Sequence, residues 1–446
     1  MNSKVPSSPT YNRRNLLGLA AGGLALGACA STRATAGSSA ASTPATSSAG
    51  DAEAALRAQL QDQSGLHQAI QPSEKSARLE RLSRILREHE MDAFLVESGS
   101  TLRYLTDVGW GQSERLFALI VMANGEHFWI CPHFEAPRAE KRIAQHGPHG
   151  PIVRWHEHEY AWKPLADALG ARGAKRIAIE PRARAFVAQS LAAEMGHANV
   201  LLGTVVLGAL RGVKDAHELR LLRAANELTQ RAISAASREI RVGMTDHEIG
   251  GLIRTAQASL GLKGVWILPL IAEGAAYPHG APEGRKLKRG DTILVDTGGA
   301  LHGYQSDISR TWCFGRPASG KMLRAWRAVR KAQQAAFEHI RPGVRCAEVD
   351  GVARSVIEAE GFGTGYTTFA HRLGHGIGMD GHEEPYFDGG SQVVLQPGMT
   401  FSDEPGIYIE GEIGIRLEDI VAVTEEGAEH FGGWQLSPDS PDSGGA

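Results

Sequence analysis

Residues 291–311 read DTILVDTGGALHGYQSDISRT. An apolar run through Ile293, Leu294 and Val295 ends in Asp296, a Gly-rich turn follows at Gly298 and Gly299, and Asp307 stands on a returning segment. That is the pattern of a hairpin, and a hairpin brings the two carboxylates together. Like charges held that close raise each other's pKa unless a cation lies between them, so the pair implies a metal ion or a shared proton. Either aspartate alone reads as a turn cap or an exposed acid. Together they read as a site.

Working outward, residues 369–384 read FAHRLGHGIGMDGHEE, with His371, His375 and His382 inside one short span. His371 and His375 have the i, i+4 spacing of a helical metal motif, but Gly374, Gly376 and Gly378 argue against a helix, and no Glu follows the first His. The glycines permit close backbone approach instead. Two further blocks, FSDEPG at 401–406 and GIRLED at 414–419, close apolar strands and contribute Glu404 and Glu418. Asp296, Asp307, His375, Glu404 and Glu418 form an oxygen-rich set with one imidazole. Such a mixture suits two adjacent ions of intermediate hardness, Mn or Co, with Zn or Fe also compatible. Two ions sharing carboxylates bind a bridging hydroxide and polarise a carbonyl, which is hydrolytic equipment.

The surroundings of these blocks repeat. Ile240-Arg241-x-Gly243-Met244 answers Ile340-Arg341-x-Gly343-Val344, and Glu248, Gly251, Arg254 and Gly261 answer Glu348, Gly351, Arg354 and Gly361. Each half reads as two helices followed by strands, with Thr245 and Glu248 forming a capping box. Two units are too few for a solenoid and read as pseudo-twofold halves around one site. Before them, a helix face at Leu79, Leu82, Ile85 and Leu86 precedes short apolar strands at 93–96, 116–122, 127–131 and 176–179. This predicts an α/β domain over 72–205, joined by a linker near 203–213 to a second domain over 206–430, with a flexible tail at 431–446. His156-Glu157-His158 reads as a solvated loop. Trp266, Tyr304 and Trp312 read as wall or core, the tryptophans as core.

The chain has 446 residues, with 50 acidic side chains against 47 Lys plus Arg. That balance gives no phosphate-neutralising surplus and argues against nucleic acid as the main partner. Four cysteines, at 29, 131, 313 and 346, lack any CxxC or finger spacing, which excludes a disulfide scaffold and a structural zinc finger. Arg13 and Arg14 precede a short Ala/Leu/Gly run, so residues 1–30 resemble a twin-arginine export signal. Leu26-Gly27-Ala28-Cys29 resembles a lipobox that would lipidate Cys29, and Ala28-Cys29-Ala30 also fits signal cleavage. Residues 31–71 are expected to form a Ser/Thr/Ala-rich disordered tether and lead-in, placing the protein in the periplasm or on a membrane as a lipoprotein.

The blocks VDTGG, SDISRT, HRLGHGIGMDGHEEP, FSDEPGIY and GIRLED, in that order, resemble the pita-bread dinuclear metallopeptidases, in the branch of Xaa-Pro dipeptidase (prolidase) and aminopeptidase P. The resemblance spans roughly residues 75 to 430. It implies an α/β creatinase-like N-terminal domain followed by an α+β pita-bread catalytic domain with pseudo-twofold halves. Two divalent metal ions, Mn first, would be held with Asp296 on one, Asp307 and Glu418 bridging, and His375 and Glu404 completing the cage. His279 would lie on the substrate side, His371 and His382 would contact the scissile carbonyl and the oxyanion, Glu404 would shuttle the proton, and Arg416 would support the carboxylates. The implied reaction is hydrolysis of Xaa-Pro bonds in dipeptides or short peptides by the bridging hydroxide, in a protein whose relatives are commonly homodimers. Release of the residue before proline from longer peptides is the near alternative. Creatinase, a dimethylsulfoniopropionate lyase and binding proteins share the fold; the filled ligand set argues against creatinase and binding proteins, and Gly298 against the lyase.

Overall fold

The computed structural model describes residues 49–280 and 284–444. Arg13, Arg14, Cys29 and residues 31–48 of the expected tether lie outside the described residues. The chain runs through α1 (Ala49–Gln59), α2 (Pro72–Glu88), β1 (Ala93–Glu97), α3 (Ser100–Leu105), β2 (Ala118–Met122), β3 (His127–Pro132), α4 (Ala136–His146), β4 (Ile152–Trp155), α5 (Trp162–Gly170), β5 (Ile177–Ile179), α6 (Ala185–Met195) and β6 (Val200–Leu202). The six strands form one mixed sheet in the order β4-β3-β2-β1-β5-β6. Its central strands are apolar without alternation because both faces are covered. Phe94 and Val96 pack with Leu82 and Leu86 of α2, while Ala93 and Leu95 pack with Leu165 of α5 and Leu191 of α6.

The first domain closes with α7 (Thr204–Leu207) and the helical turn Gly208–Gly212, which bury Val206 and Leu210 in its core. The second domain follows as α8 (Ala216–Ser237), α9 (Asp246–Ser259), β7 (Lys263–Ile271), β8 (Thr292–Leu301), β9 (Tyr304–Gln305), β10 (Ile308–Cys313), α10 (Gly320–His339) and α11 (Cys346–Ala359). It continues through β11 (Gly374–Gly376), β12 (Glu383–Phe387), β13 (Thr400–Asp403), β14 (Gly406–Ile409), β15 (Ile413–Arg416), β16 (Asp419–Val423), β17 (Ala428–His430), β18 (Gln435–Ser437) and β19 (Ser440–Ser443). One half is the sheet β10-β8-β7 with α8 and α9; the other is β12-β11-β13-β16-β17 with α10 and α11. The repeat is real at the level of backbone geometry. Gly243 and Gly343 sit at φ +89° and +90°, a conformation only glycine adopts freely. Gly243 exchanges backbone hydrogen bonds with Leu287 through its own N–H and the Met244 carbonyl, and Gly343 does the same with Leu395 through the Val344 carbonyl. A bridge between Ser309 and Glu418 joins the two half-sheets at their seam.

Four expectations change. Residues 49–71 are built into the catalytic half: Ala52 and Leu56, one turn apart on α1, are buried in its core, and the Gln63 N–H donates to the Leu260 carbonyl. Two buried side chains in an Ala-rich stretch are too faint a stripe to read as an amphipathic helix. Most of the expected linker at 203–213 is helical, from Thr204 to Gly212, with Leu210 and Arg211 buried. The tail is structured through residue 444, since Arg310 donates to the Gly433 carbonyl and Ser443 Oγ, and the Cys313 N–H donates to the Pro438 carbonyl. Tyr304 and Trp312 are core, whereas Trp266 lines a cavity.

Candidate metal centre

The site grows from the seam. On β8, Asp296 faces Ser309 of β10 across the ladder, and Asp307 stands just before β10, its N–H held by Asn226 Oδ1 at 3.1 Å. From the other half, the Glu418 N–H bonds the Ser309 carbonyl, and Ser309 Oγ donates to Glu418 Oε2 at 2.8 Å. His375 sits on β11, where the Ser402 hydroxyl accepts its N–H at 2.9 Å and donates to Glu404 Oε1 at 3.1 Å. Hairpin geometry supplies one carboxylate pair and sheet pairing the other acids, so each half contributes ligands to one point.

His375 Nδ1 is paired with the Gly376 carbonyl at 3.1 Å, which makes Nδ1 the donor and leaves Nε2 as a free acceptor. That Nε2 lies 3.4 Å from Glu404 Oε1, 3.6 Å from Asp307 Oδ2 and 4.0 Å from Glu418 Oε1. Three overlapping groups, Asp296-Asp307-Glu418, His375-Glu404-Glu418 and Asp307-His375-His382, each bring their ligand atoms within 4.8 Å of one another. Asp307, His375 and Glu418 belong to two groups each; of these only the carboxylates have a second oxygen with which to meet a second ion. The residues fit such a pair on a second count: Asp296 Oδ1 and Asp307 Oδ1 are buried with no hydrogen-bond partner among the described residues, and a buried carboxylate oxygen without a partner is costly unless a cation meets it.

Electrostatics agree. Burial, then Asp296 and Glu404, push Asp307 well above the usual carboxylate range. Burial, then Asp307, does the same to Glu418, and burial pushes Glu404 up to about 8 against the opposing charge of Arg416. Acids this crowded either hold protons or hold cations, and a dication inverts the local preference.

Arg416 supports the carboxylates mainly through Asp296 and, by way of Ser309, Glu418. Its Nη2 bonds Asp296 Oδ2 at 2.5 Å, its Nε donates to Ser309 Oγ at 2.9 Å and its Nη1 donates to Tyr408 Oη at 3.1 Å. Asp419 is matched by Arg310 at 2.7 Å, wholly buried behind the site, with Gln230 and Gln333 completing its acceptors. His371 lines the same cavity as the candidate ligands. Its Nε2 is paired with Tyr408 Oη at 2.8 Å and its Nδ1 with the Arg372 carbonyl at 2.7 Å. Both ring nitrogens being taken, His371 braces Tyr408 and Arg416, and burial lowers it to about 3, so it is neutral. His279 and His382 reach the same cavity with ring nitrogens that have no hydrogen-bond partner among the described residues, and His382 stacks on His375 with centroids 3.7 Å apart.

The cavity measures about 410 Å³ and is walled on its apolar side by Trp266, Leu268 and Pro278. Tyr408, Ser309 and Ser402 hold the candidate ligands and Arg416 in place and were missed by sequence reasoning. Each stands inside or beside a ligand block, which was the available signal, but their roles depend on contacts across strands.

Comparison with known proteins gives two family matches: "Metallopeptidase family M24" over residues 220–425 and "Creatinase/Prolidase N-terminal domain" over residues 78–213. The putative dipeptidase YkvY of Bacillus subtilis is 33% identical over 356 residues, covering 79% of this chain and 96% of the relative. The Xaa-Pro dipeptidase of Lactobacillus delbrueckii subsp. lactis is 32% identical over 360 residues, with 79% and 96% covered. Among solved structures, dipeptidase PepE of Mycobacterium ulcerans superposes with a TM-score of 0.77 at 31% identity, over 84% of this chain and 99% of that one.

Proposed function

This chain belongs to metallopeptidase family M24, with a creatinase/prolidase N-terminal domain, and from that premise we propose that it hydrolyses Xaa-Pro dipeptides. The observation that carries the reading is the overlap of three ligand groups lining a cavity of about 410 Å³. A relative that bears the name Xaa-Pro dipeptidase, matched over 96% of its own length, supports the substrate.

Asp296, Asp307, His375, Glu404 and Glu418 would hold two divalent ions, manganese in our reading, which when bound lower the pKa of water and polarise a carbonyl. The chain's own residues do the rest. Arg416 and Ser309 fix the acids, so their oxygens need not reorganise during reaction. Glu404, beside His375, carries the proton from the attacking water to the departing nitrogen of proline. That nitrogen has no hydrogen before cleavage, so a site that does not read a backbone N–H suits it. His382 and His279 are the free imidazoles that donate to the carbonyl oxygen as charge develops. Trp266, Leu268 and Pro278 offer the apolar wall for the pyrrolidine ring.

Export belongs to the same reading: Arg13 and Arg14 direct a folded, metal-loaded protein out of the cytoplasm, with Cys29 as the lipid anchor and a homodimer as the assembly. The deciding experiment is hydrolysis of Ala-Pro beside Ala-Pro-Ala by the manganese-loaded chain and by Asp307→Ala. Cleavage of the dipeptide alone, lost in the variant, is expected. Preferential release of Ala from the tripeptide would transfer the assignment to aminopeptidase P, and no cleavage of either by metal-loaded protein would end the reading.

A further inference from the structure

Residues 377–382 join β11, which carries His375, to β12 and present His382 to the cavity, with Glu383 and Glu384 opening β12. The segment contains Gly378 and Gly381, and its own domain holds it at two places: Gln305 donates to the Gly378 and Met379 carbonyls, and Glu383 pairs with Gly376 where β12 begins. Between them the ring of His382 stacks on His375, with no hydrogen bond to its nitrogens among the described residues. Glycine-rich backbone of this kind takes its position from whatever grips it. The grip comes from the N-terminal domain.

Arg211, 5% exposed, is the centre of that grip. Its Nη2 bonds Asp380 Oδ2 at 2.8 Å and Glu383 Oε2 at 2.6 Å, while its Nη1 donates to Ser100 Oγ at 3.1 Å and Thr101 Oγ1 at 2.9 Å at the start of α3. Lys214 Nζ takes the other Glu383 oxygen at 2.8 Å, and Ser100 Oγ donates to Asp380 Oδ2 at 2.7 Å. Arg182, on the turn between β5 and α6, pairs with Asp380 at 3.0 Å and donates directly to the backbone carbonyl of His382. Both arginines fall within the N-terminal domain match over 78–213. Three cations thus hold the two carboxylates that flank His382, with Arg211, Lys214 and Glu383 removed from water, where charge-assisted hydrogen bonds are directional and strong.

We infer that Arg182 and Arg211 are positioning residues of the N-terminal domain, which set the loop carrying His382 and so the place of its imidazole over the substrate carbonyl. The role of His382 rests on the peptidase reading above; the clamp on the loop does not. The test uses the full metal-loaded chain with Arg182→Ala, whose side chain is 45% exposed and safe for folding, in the parent and in a His382→Ala background. We expect kcat for Ala-Pro to fall about 10-fold with KM within about twofold, unchanged metal content, and faster amide hydrogen exchange confined to 378–384. In the His382→Ala background, Arg182→Ala should produce no further loss of kcat. Arg211→Met should loosen the same segment more, and Arg211→Lys should restore part of the protection. An equal fold-loss in the His382→Ala background, or unchanged exchange in the loop, overturns the proposal. If the parent cleaves no Xaa-Pro substrate, the exchange experiment still decides the clamp, because it does not depend on turnover.

Discussion

At the scale of single residues, the clearest consequence concerns protons. Glu404 lies at about 8 and Asp307 and Glu418 are raised by burial and mutual repulsion, so binding of dications must expel protons from the site. Calorimetric titration of manganese into chelator-stripped protein, in buffers of different ionisation enthalpy, should report proton release near neutral pH. The same shift has a signed effect on stability. Between the ordinary carboxylate range and about 8, the folded stripped protein binds more protons at Glu404 than the unfolded chain does, so its stability falls as pH rises through that window. Metal should abolish this slope. His371 and His375, held neutral by burial at about 3 against 6.5 when free, add the opposite slope at lower pH, so the test lies above that range: a stripped protein whose melting temperature rises from about pH 7 to 8 would contradict it. Tyr408 offers a second test. Its hydroxyl links Arg416 to His371, and burial pushes it up to about 12, so it donates to His371 and never ionises in the working range. Tyr408→Phe should keep both metals and lower kcat about 10-fold, as loss of an orienting partner commonly does; unchanged turnover would remove it from the machinery.

At the scale of elements, glycines separate strict positions from tolerant ones. A Cβ at Gly298 on β8 would lie 1.9 Å from the Ser306 carbonyl oxygen on the opposite arm of the hairpin. Backbone cannot step aside without moving Asp296 or Asp307, so Gly298→Ala should cost at least about 1–3 kcal/mol and weaken metal binding in the same titration. Gly351, at the matching point of the repeat to Gly251, stands on an open face of α11, where an added Cβ would meet nothing within 4 Å. Gly351→Ala should therefore stabilise by about 0.5–1 kcal/mol without touching activity, read by denaturant unfolding. Both glycines look alike in the sequence. The difference between them is a neighbour that only strand pairing supplies.

At the scale of the whole molecule, the site is held by parts far from it in sequence. Leu56 of α1 is fully buried against the catalytic half. Leu56→Ala should cost about 2–5 kcal/mol, measured as a fall in melting temperature, whereas a disordered tether there would lose nothing. Arg310, wholly buried, ties Asp419 and the Glu418 carbonyl to Gly433 and Ser443, so the last strands brace the metal ligands from behind.

What the sequence determined by itself was the chemistry and the order of its parts. The five candidate ligands stand in compact blocks whose glycines and acids are constrained locally, the repeat is spelled out a hundred residues apart, and the apolar strands announce an α/β domain followed by paired halves. These features are local, and local features survive in a linear reading. The tertiary structure decided the partners. It gave Arg416 to Asp296 and Arg310 to Asp419, engaged both nitrogens of His371, buried α1 and the last strands, and brought Arg182 and Arg211 to the His382 loop. Each is a contact between segments distant in the chain, and each depends on strand register and domain docking. A charged side chain looks the same in sequence whether water or a buried carboxylate will meet it; folding makes that choice through the cost of leaving the charge unpaired.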